Sequence, residues 1–199
     1  MSYIAIGDIH GCLKQLEEIL SFVQEFSQHK LIFLGDYIDR GNHSNEVIDL
    51  VRSLDAICLL GNHESMFLEN TRIFKELNPE YKDNYLARKK ISNKNYEWMQ
   101  SSLLTHYETE NYFFSHAGIN PNKPLSLQTE HDFIWTDYYG SYTHLTSKLV
   151  IQGHLKVDKI LQKENHYLID TGCGFGGYLS AIVLPERILL QSKTRSPDS

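Results

Sequence analysis

The chain has 199 residues, of which 41% are hydrophobic and 22% are charged, so it is long enough to bury a core and has a globular composition. Its formal net charge of −6 argues against nucleic acid or an anionic membrane as the main partner. The 3 cysteines are too few for a disulfide framework, and no apolar run reaches the ~20 residues of a membrane span. The N-terminus lacks a signal-type segment. We therefore expect a cytoplasmic protein, and its oligomeric state stays open.

The first third of the chain alternates strand-like and helix-like segments. Apolar runs predict strands at residues 3–6, 31–34 and 57–60. An amphipathic helix is predicted at 12–26, and a second one follows from Val47 to Leu54 with Ser44 or Asn45 as its N-cap. This order is typical of a βαβ sheet whose functional residues follow the carboxyl ends of the strands.

The remainder divides into a helical and a β-rich part. Residues 64–110 are predicted to be a mostly helical insertion or cap, broken at Asn78-Pro79. Strands are predicted later at 112–115, 149–151, 167–169, 179–184 and 188–190, with the glycine-rich stretch 172–177 as a turn or bulge. We expect one domain over 1–192 and a loose tail over 193–199.

Five short polar motifs occur in a fixed order, and the first three directly follow strand-like runs. They are Gly-Asp-Ile-His-Gly (7–11), Gly-Asp-Tyr-Ile-Asp-Arg-Gly (35–41), Gly-Asn-His-Glu (61–64), His-Ala-Gly (116–118) and Gly-His (153–154). Any one of them alone is explained by a turn or a helix cap. Together they supply the oxygen and nitrogen ligands for phosphate-ester hydrolysis by two metal ions, with Mn favoured and Fe or Zn as alternatives. The candidate ligands are Asp8, His10, Asp36, Asn62, His116 and His154.

These motifs resemble those of the phosphoprotein phosphatase family of calcineurin-like metallophosphoesterases, and the compact length resembles its small bacterial serine/threonine members. The resemblance covers nearly the whole chain, since residues 169–172 also match the family's later strand and turn. It implies an α/β fold, a two-sheet αββα sandwich with a dinuclear metal site at the strand ends. It also implies that the first metal is held by Asp8, His10 and Asp36, and the second by Asp36, Asn62, His116 and His154.

The resemblance further implies roles for three residues beside these ligands. His63 would protonate the leaving oxygen, Asp39 would hydrogen-bond His63 and keep it cationic, and Arg40 would grip the phosphate oxygens together with Asn62. The residue types fit, because histidine is an acid near neutral pH and arginine matches two phosphate oxygens. A surface ion pair between Asp39 and Arg40 is the alternative reading. The expected reaction is direct attack by a metal-bridging hydroxide, since no nucleophile motif for a phosphoenzyme is recognisable.

One position departs from the family pattern. Where the protein phosphatases carry a second Arg after an Ile/Leu-Trp pair, this chain has Asp137 after Ile134-Trp135-Thr136. A carboxylate repels a phosphate dianion. Three explanations of Asp137 are therefore open: the phosphate is held more weakly, Asp137 recognises a donor on another substrate, or another cation compensates. The nearest cations by sequence are Arg88, Lys89, Lys90 and Lys123.

Three functions follow from these observations. The preferred one is a metal-dependent phosphatase acting on phosphoserine or phosphothreonine proteins, with phosphotyrosine or a small phosphate ester as further substrates. The alternative is a dinucleoside tetraphosphate hydrolase, in which the tyrosines at 138, 139 and 142 would stack on a base. A non-catalytic metal-binding module is disfavoured, because none of the expected ligands is missing.

Overall fold

Two five-stranded β-sheets form the centre of the computed structural model, which describes residues 1–197. The strands of the first sheet are β1 (Tyr3–Ile6), β2 (Lys30–Phe33), β3 (Ala56–Cys58), β9 (Ser180–Leu184) and β10 (Ile188–Gln191), in the order β10-β9-β1-β2-β3. β1, β2 and β3 are parallel, whereas β9 runs antiparallel to β1 and β10. The carboxyl ends of the three parallel strands therefore meet at one edge.

The second sheet is also mixed. It contains β4 (His106–Glu108), β5 (Tyr112–Ser115), β6 (Leu149–Gln152), β7 (Leu161–Lys163) and β8 (His166–Leu168), in the order β4-β5-β6-β8-β7. The central strands β5, β6 and β8 are parallel, and the edge strands β4 and β7 pair antiparallel with them. The sequence predicted the central strands and missed the two edge strands.

Six α-helices accompany the sheets in the described part of the chain. They are α1 (Leu13–Val23), α2 (Ser44–Ser53), α3 (Asn62–Leu77), α4 (Pro79–Lys89), α5 (Asn93–Ser102) and α6 (Glu130–Trp135). No described helix is both long enough and apolar enough to cross a bilayer. The predicted break at Asn78-Pro79 is the start of α4: Asn78 accepts a hydrogen bond from the Glu80 N–H at 3.0 Å, and Pro79 occupies the first turn, where an N–H is not needed.

The two faces of β1 bury two different cores. Successive side chains of a strand point to opposite faces, and Tyr3 and Ala5 lie in the cluster between the sheets, with residues such as Phe114 and Ile151. Ile4 and Ile6 lie in the other cluster, which includes the buried faces of α1 and α2. The outer face of the second sheet is covered by α6 and Tyr142. The predicted two-sheet sandwich with outer helices is confirmed.

The cap predicted for α2 is corrected by the structure. The N-cap position is His43, and its side chain makes no capping hydrogen bond. The Ser44 hydroxyl instead accepts from the Asp39 N–H at 3.1 Å, and the Asn45 side chain accepts from the Ser92 N–H at 2.9 Å. Both side chains therefore tie neighbouring loops to α2.

The tail predicted to be loose from residue 193 is hydrogen-bonded as far as Ser196. Thr194 accepts from the Gln15 side chain at 3.1 Å, and its own N–H donates to Glu18 at 2.9 Å. The Ser196 hydroxyl accepts from the Gly174 N–H at 2.9 Å. These bonds fasten the segment to α1 and to the glycine-rich loop; residues 198 and 199 lie outside the described part of the chain.

Candidate active site

The predicted ligands meet where the parallel strands of both sheets end. Asp8 follows β1, Asp36 lies three residues after β2, and Asn62 opens α3 after β3. His116 follows β5 and His154 lies two residues after β6. The fold therefore brings together side chains that are up to 146 residues apart in sequence, as the contact of the His154 N–H with Asp8 records.

Asp36 lies at the centre of this cluster. Its Oδ1 is 3.5 Å from His116 Nε2, and its Oδ2 is 3.5 Å from His10 Nε2 and 4.0 Å from His63 Nε2. Two triplets have ligand atoms within 4.8 Å of one another, His10–Asp36–His63 and Asp8–Asp36–His116, and both share Asp36. A shared carboxylate is what a bridging ligand requires. Asp8 groups here with His116, whereas the resemblance pairs it with His10.

Two buried histidines point lone pairs at Asp36. His10 Nδ1 lies 3.0 Å from the Ile38 carbonyl oxygen, and His116 Nδ1 lies 3.0 Å from the Leu34 carbonyl oxygen. A carbonyl can only accept, so we assign the proton to Nδ1 in each ring. Burial lowers the pKa of both histidines, which favours neutral rings. Nε2 and Asp36 are then acceptors facing each other, an arrangement that a bound cation satisfies.

Asn62 continues the same pattern. Its Oδ1 lies 2.8 Å from His116 Nε2 and 3.2 Å from His154 Nδ1. Burial lowers the pKa of His154 to about 4, so this ring is also neutral. The carboxylate of Asp137 is 3.6 Å from His154 Nε2. Asp137 therefore faces the nitrogen of His154 that points away from Asn62, and this proximity favours a proton on that nitrogen.

Asp8 is held in an acidic environment. Burial, followed by the charges of Asp170 and Asp36, raises the pKa of Asp8 well above its ordinary value. Burial also raises the pKa of Asp170 to about 6. The His154 N–H donates to Asp8 at 3.0 Å, and a Cβ at Gly153 would lie only 1.9 Å from an Asp8 oxygen. The donor set fits divalent metal ions, which would relieve the repulsion between these carboxyl groups.

The proposed acid has the partner predicted for it and one that was not predicted. His63 Nδ1 is 2.8 Å from Asp39 Oδ2, and Lys89 donates to Asp39 Oδ1 at 2.7 Å. Burial opposes both charges, but these bonds outweigh it: the pKa of Asp39 falls to about 2 and that of His63 is raised. The helical segment 64–110 thus reaches the site through Lys89 at the end of α4.

Arg40 is not the salt-bridge partner of Asp39. Its guanidinium carbon lies 4.2 Å from the centre of the Phe175 ring, a cation–π contact with the glycine-rich loop. Asp39 bonds His63 and Lys89 instead. The described contacts therefore contradict the alternative of a surface pair between Asp39 and Arg40.

Glu64 is a structural residue of the site to which the sequence analysis gave no role. Its carboxylate accepts from four backbone N–H groups, of Asp36, Tyr37, Ile38 and Gly61, at 2.8 to 3.2 Å. It therefore holds the second motif in place against the start of α3. The signal in the sequence is the spacing of Gly61 and Glu64, which is that of a capping box.

The backbone of the site is conformationally costly. Seven described residues other than glycine have positive φ angles, and five of them are predicted site residues: His10, Asp36, Asp39, Arg40 and His154. Such conformations cost of order 1–3 kcal/mol each and concentrate at functional sites.

Four further polar or aromatic residues are engaged in contacts away from the predicted ligands. Lys123 is bonded to Asp132 at 2.7 Å, and Arg88 lies over the Tyr85 ring. Tyr142 is fully buried, so it packs and is not free to stack on a base. His166, which lies outside the five motifs, is buried and hydrogen-bonded to Gln152 at 2.8 Å.

Comparison with known proteins agrees with this geometry. The profile of the calcineurin-like phosphoesterase family matches residues 1–177. The asymmetrical bis(5'-nucleosyl)-tetraphosphatase PrpE of Oceanobacillus iheyensis is 26% identical over 96% of this chain and 92% of its own length. The symmetrical bis(5'-nucleosyl)-tetraphosphatase of Pasteurella multocida is 28% identical over 75% of this chain. This chain covers only 56% of that second relative.

Solved structures share the fold. One described as a candidate diadenosine tetraphosphatase superposes with a TM-score of 0.77 at 23% identity, covering 100% of this chain and 95% of the other. A cold-active protein-tyrosine phosphatase from a Shewanella species gives a TM-score of 0.62 at 16% identity, covering 96% and 80%. The family match, the sandwich and the clustered ligands lead to one conclusion: the chain belongs to the calcineurin-like phosphoesterase family, a family of metal-dependent phosphoesterases.

Proposed function

We propose that this protein hydrolyses dinucleoside tetraphosphates. The observation that carries the proposal is the similarity to PrpE of Oceanobacillus iheyensis, which extends over nearly the full length of both chains. The preference for phosphoproteins expected from the sequence is not supported, because the relatives compared above are bis(5'-nucleosyl)-tetraphosphatases. Asp137 lies 3.6 Å from His154, at the edge of the proposed metal site.

The metal ligands remain those inferred from the sequence. Asp8, His10, Asp36, Asn62, His116 and His154 would hold two divalent ions, with Mn as the first choice. When bound, such ions supply Lewis-acid charge and a water molecule of lowered pKa. Neutral His10 and His116 are in the protonation state that binding needs, because each carries its proton on the nitrogen facing a backbone carbonyl.

Arg40 and His63 would bind the phosphate and transfer a proton, respectively. Arg40 would hold oxygens of the reacting phosphate, since a guanidinium forms paired hydrogen bonds with them. His63, hydrogen-bonded to Asp39, would donate the Nε2 proton to the oxygen that leaves. Hydrolysis breaks one P–O bond of the tetraphosphate chain, and water supplies the new oxygen on phosphorus. Cleavage next to a terminal phosphate gives a nucleoside monophosphate and a triphosphate; central cleavage gives two diphosphates.

The proposal is tested by comparing substrates on the Mn²⁺-loaded protein. Diadenosine tetraphosphate, a phosphoserine peptide and a phosphotyrosine peptide are offered separately, and products are separated by anion-exchange chromatography. We expect the highest kcat/KM with the dinucleotide, and AMP plus ATP as products. The His154→Ala variant is the control for contaminating activity. A higher kcat/KM with either peptide would contradict the proposal.

A further inference from the structure

The glycine-rich loop at 172–177 brings two cations to one aromatic ring. The Arg40 guanidinium carbon lies 4.2 Å, and the Lys156 ammonium nitrogen 5.3 Å, from the centre of the Phe175 ring. The Phe175 ring also contacts the His10 ring in a T-shaped arrangement, with ring centres 5.8 Å apart. Phe175 is 38% exposed. Both cations therefore lie at the accessible side of the site, beside a proposed metal ligand.

The loop is shaped around these two side chains. A Cβ on Gly172 would lie 3.0 Å from Lys156 Cδ, and a Cβ on Gly174 would lie 3.1 Å from Arg40 Cβ and 2.6 Å from His10 Cβ. Both glycines also have positive φ angles, 80° and 84°, which other residues adopt at a cost. A larger residue at 172 would press on the Lys156 side chain, and one at 174 would press first on His10 and then on Arg40.

Neither cation is in an ion pair within residues 1–197, although the charge of Lys156 acts on the buried Asp170 carboxyl group and lowers its pKa against the larger effect of burial. Arg40 and Lys156 form no hydrogen bond or salt bridge with another described residue, and the aromatic ring holds them without cancelling their charge. By contrast, two of the lysines named from the sequence as substitutes for the missing arginine have carboxylate partners: Lys89 is bonded to Asp39 and Lys123 to Asp132. Arg40 and Lys156 are thus available to bind an anion beside the Phe175 ring.

We propose that Arg40 and Lys156, positioned by Phe175, form a two-cation clamp for adjacent phosphate groups. Arg40 binds the phosphate that reacts, and Lys156 binds the next phosphate of the chain. Lys156 thereby supplies the second positive charge that Asp137 does not. Phe175 is a positioning residue, because it acts through the two cations. The inference rests on the proposed function for its substrate class, a polyphosphate chain.

The test of Lys156 compares one phosphate group with two. Inorganic phosphate and pyrophosphate are measured as competitive inhibitors of p-nitrophenyl phosphate hydrolysis by the Mn²⁺-loaded protein. In Lys156→Met we expect the inhibition constant of pyrophosphate to rise about ten-fold, and that of phosphate to change by less than about two-fold. Lys159→Met is the matched control, because Lys159 is an exposed lysine that lies with Lys156 in the loop between β6 and β7. Calorimetric titration with pyrophosphate repeats the comparison without turnover.

The test of Phe175 uses a conservative rescue. In Phe175→Leu, both inhibition constants should rise several-fold because both cations lose their platform, whereas Phe175→Tyr, which keeps the ring, should restore them. Bound Mn²⁺ should be equal in all variants. Equal pyrophosphate affinity in Lys156→Met and Lys159→Met, or failure of tyrosine to rescue, would overturn the clamp. If peptides are the better substrates while Lys156→Met still weakens pyrophosphate alone, the proposed function fails and the clamp stands.

Discussion

His63 occupies a position between two roles. Its Nδ1 is hydrogen-bonded to Asp39, and its Nε2 lies 4.0 Å from Asp36 Oδ2, close enough to form a candidate ligand triplet with His10. The raised pKa of His63, due to the Asp39 hydrogen bond overcoming burial, favours a cationic ring. A cationic ring donates a proton and does not bind a metal. We therefore keep His63 as the proposed acid.

The His63→Asn variant separates these roles. Protonation matters most for a poor leaving group, so hydrolysis of a phosphoserine peptide should slow by about a hundred-fold or more. Cleavage of p-nitrophenyl phosphate and diadenosine tetraphosphate, whose leaving groups are weaker bases, should slow much less. Bound metal, measured by atomic emission, should be unchanged. Loss of metal, or equal slowing of all three substrates, would identify His63 as something other than the acid.

Glu64 is expected to act on stability. An amide in its place keeps one acceptor oxygen, so Glu64→Gln leaves some of the four buried N–H groups without a partner. We expect a loss of about 2–3 kcal/mol in the free energy of unfolding, measured with urea. Glu69→Gln, on the exposed face of the same helix and paired with Arg72, is the control and should cost clearly less, because exposed ion pairs contribute little. Equal losses in the two variants would contradict the role of Glu64 in holding the second motif against the start of α3.

At the scale of elements, the central strands were predictable and the short peripheral elements were not. β1 is buried on both faces, so its apolar run is unambiguous. β4 and β7 are three residues each and lie at the edges of the second sheet, where few side chains need to be apolar. The start of α4 was not predicted, because Pro79 was interpreted as a helix break, although proline is favoured in the first turn of a helix.

α6 offers a pH-dependent test of element stability. Asp132 closes the capping box with Thr129 and is bonded to Lys123 and Asn120. Burial works against its charge, but these partners hold the pKa of Asp132 well below its ordinary value. For a lowered pKa, the stabilisation is complete above the unfolded value near 4 and is lost as pH falls through the folded pKa.

We therefore expect Asp132→Asn to lower the free energy of unfolding by about 2 kcal/mol at pH 7. The difference from wild type should shrink as the pH is reduced below about 4. Urea denaturation at several pH values measures both. Glu130→Gln, in the same first turn, is the control. A difference that does not depend on pH would show that the Asp132 charge is unimportant.

At the scale of the whole molecule, the predicted site residues converge because strand ends converge. The motifs follow consecutive parallel strands, so sequence order alone indicated that Asp8, Asp36 and Asn62 would meet. The sequence analysis did not identify Lys156 and named Lys89 only as one of several possible cations. The positions of these lysines depend on how a loop and a helix pack over that edge of the sheet. Phe175 lies in the glycine-rich stretch 172–177, for which the sequence predicted only a turn or bulge. Such contacts are tertiary, and no local pattern specifies them.

Metal binding should stabilise the whole fold, because the proposed ligands come from both sheets. Mn²⁺ at about a hundred times its dissociation constant should add roughly 2.7 kcal/mol, which raises Tm by about 5–10 °C in a chain of this size. Calorimetry with Mn²⁺ and with chelator measures the shift. Asn62→Ala should reduce it, whereas Asn70→Ala, exposed on the same helix, should not. An equal shift in both variants would remove Asn62 from the ligand set.

The positive φ angles of the site residues bear on how this protein tolerates change. Glycine and asparagine adopt such angles more readily than arginine does, or than an aspartate whose side chain is fixed by a partner. Selection for heat resistance and selection for catalysis therefore act in opposite directions at Asp36, Asp39 and Arg40. Libraries screened by melting temperature alone should enrich glycine or asparagine at these positions and yield robust proteins that no longer hydrolyse phosphate esters.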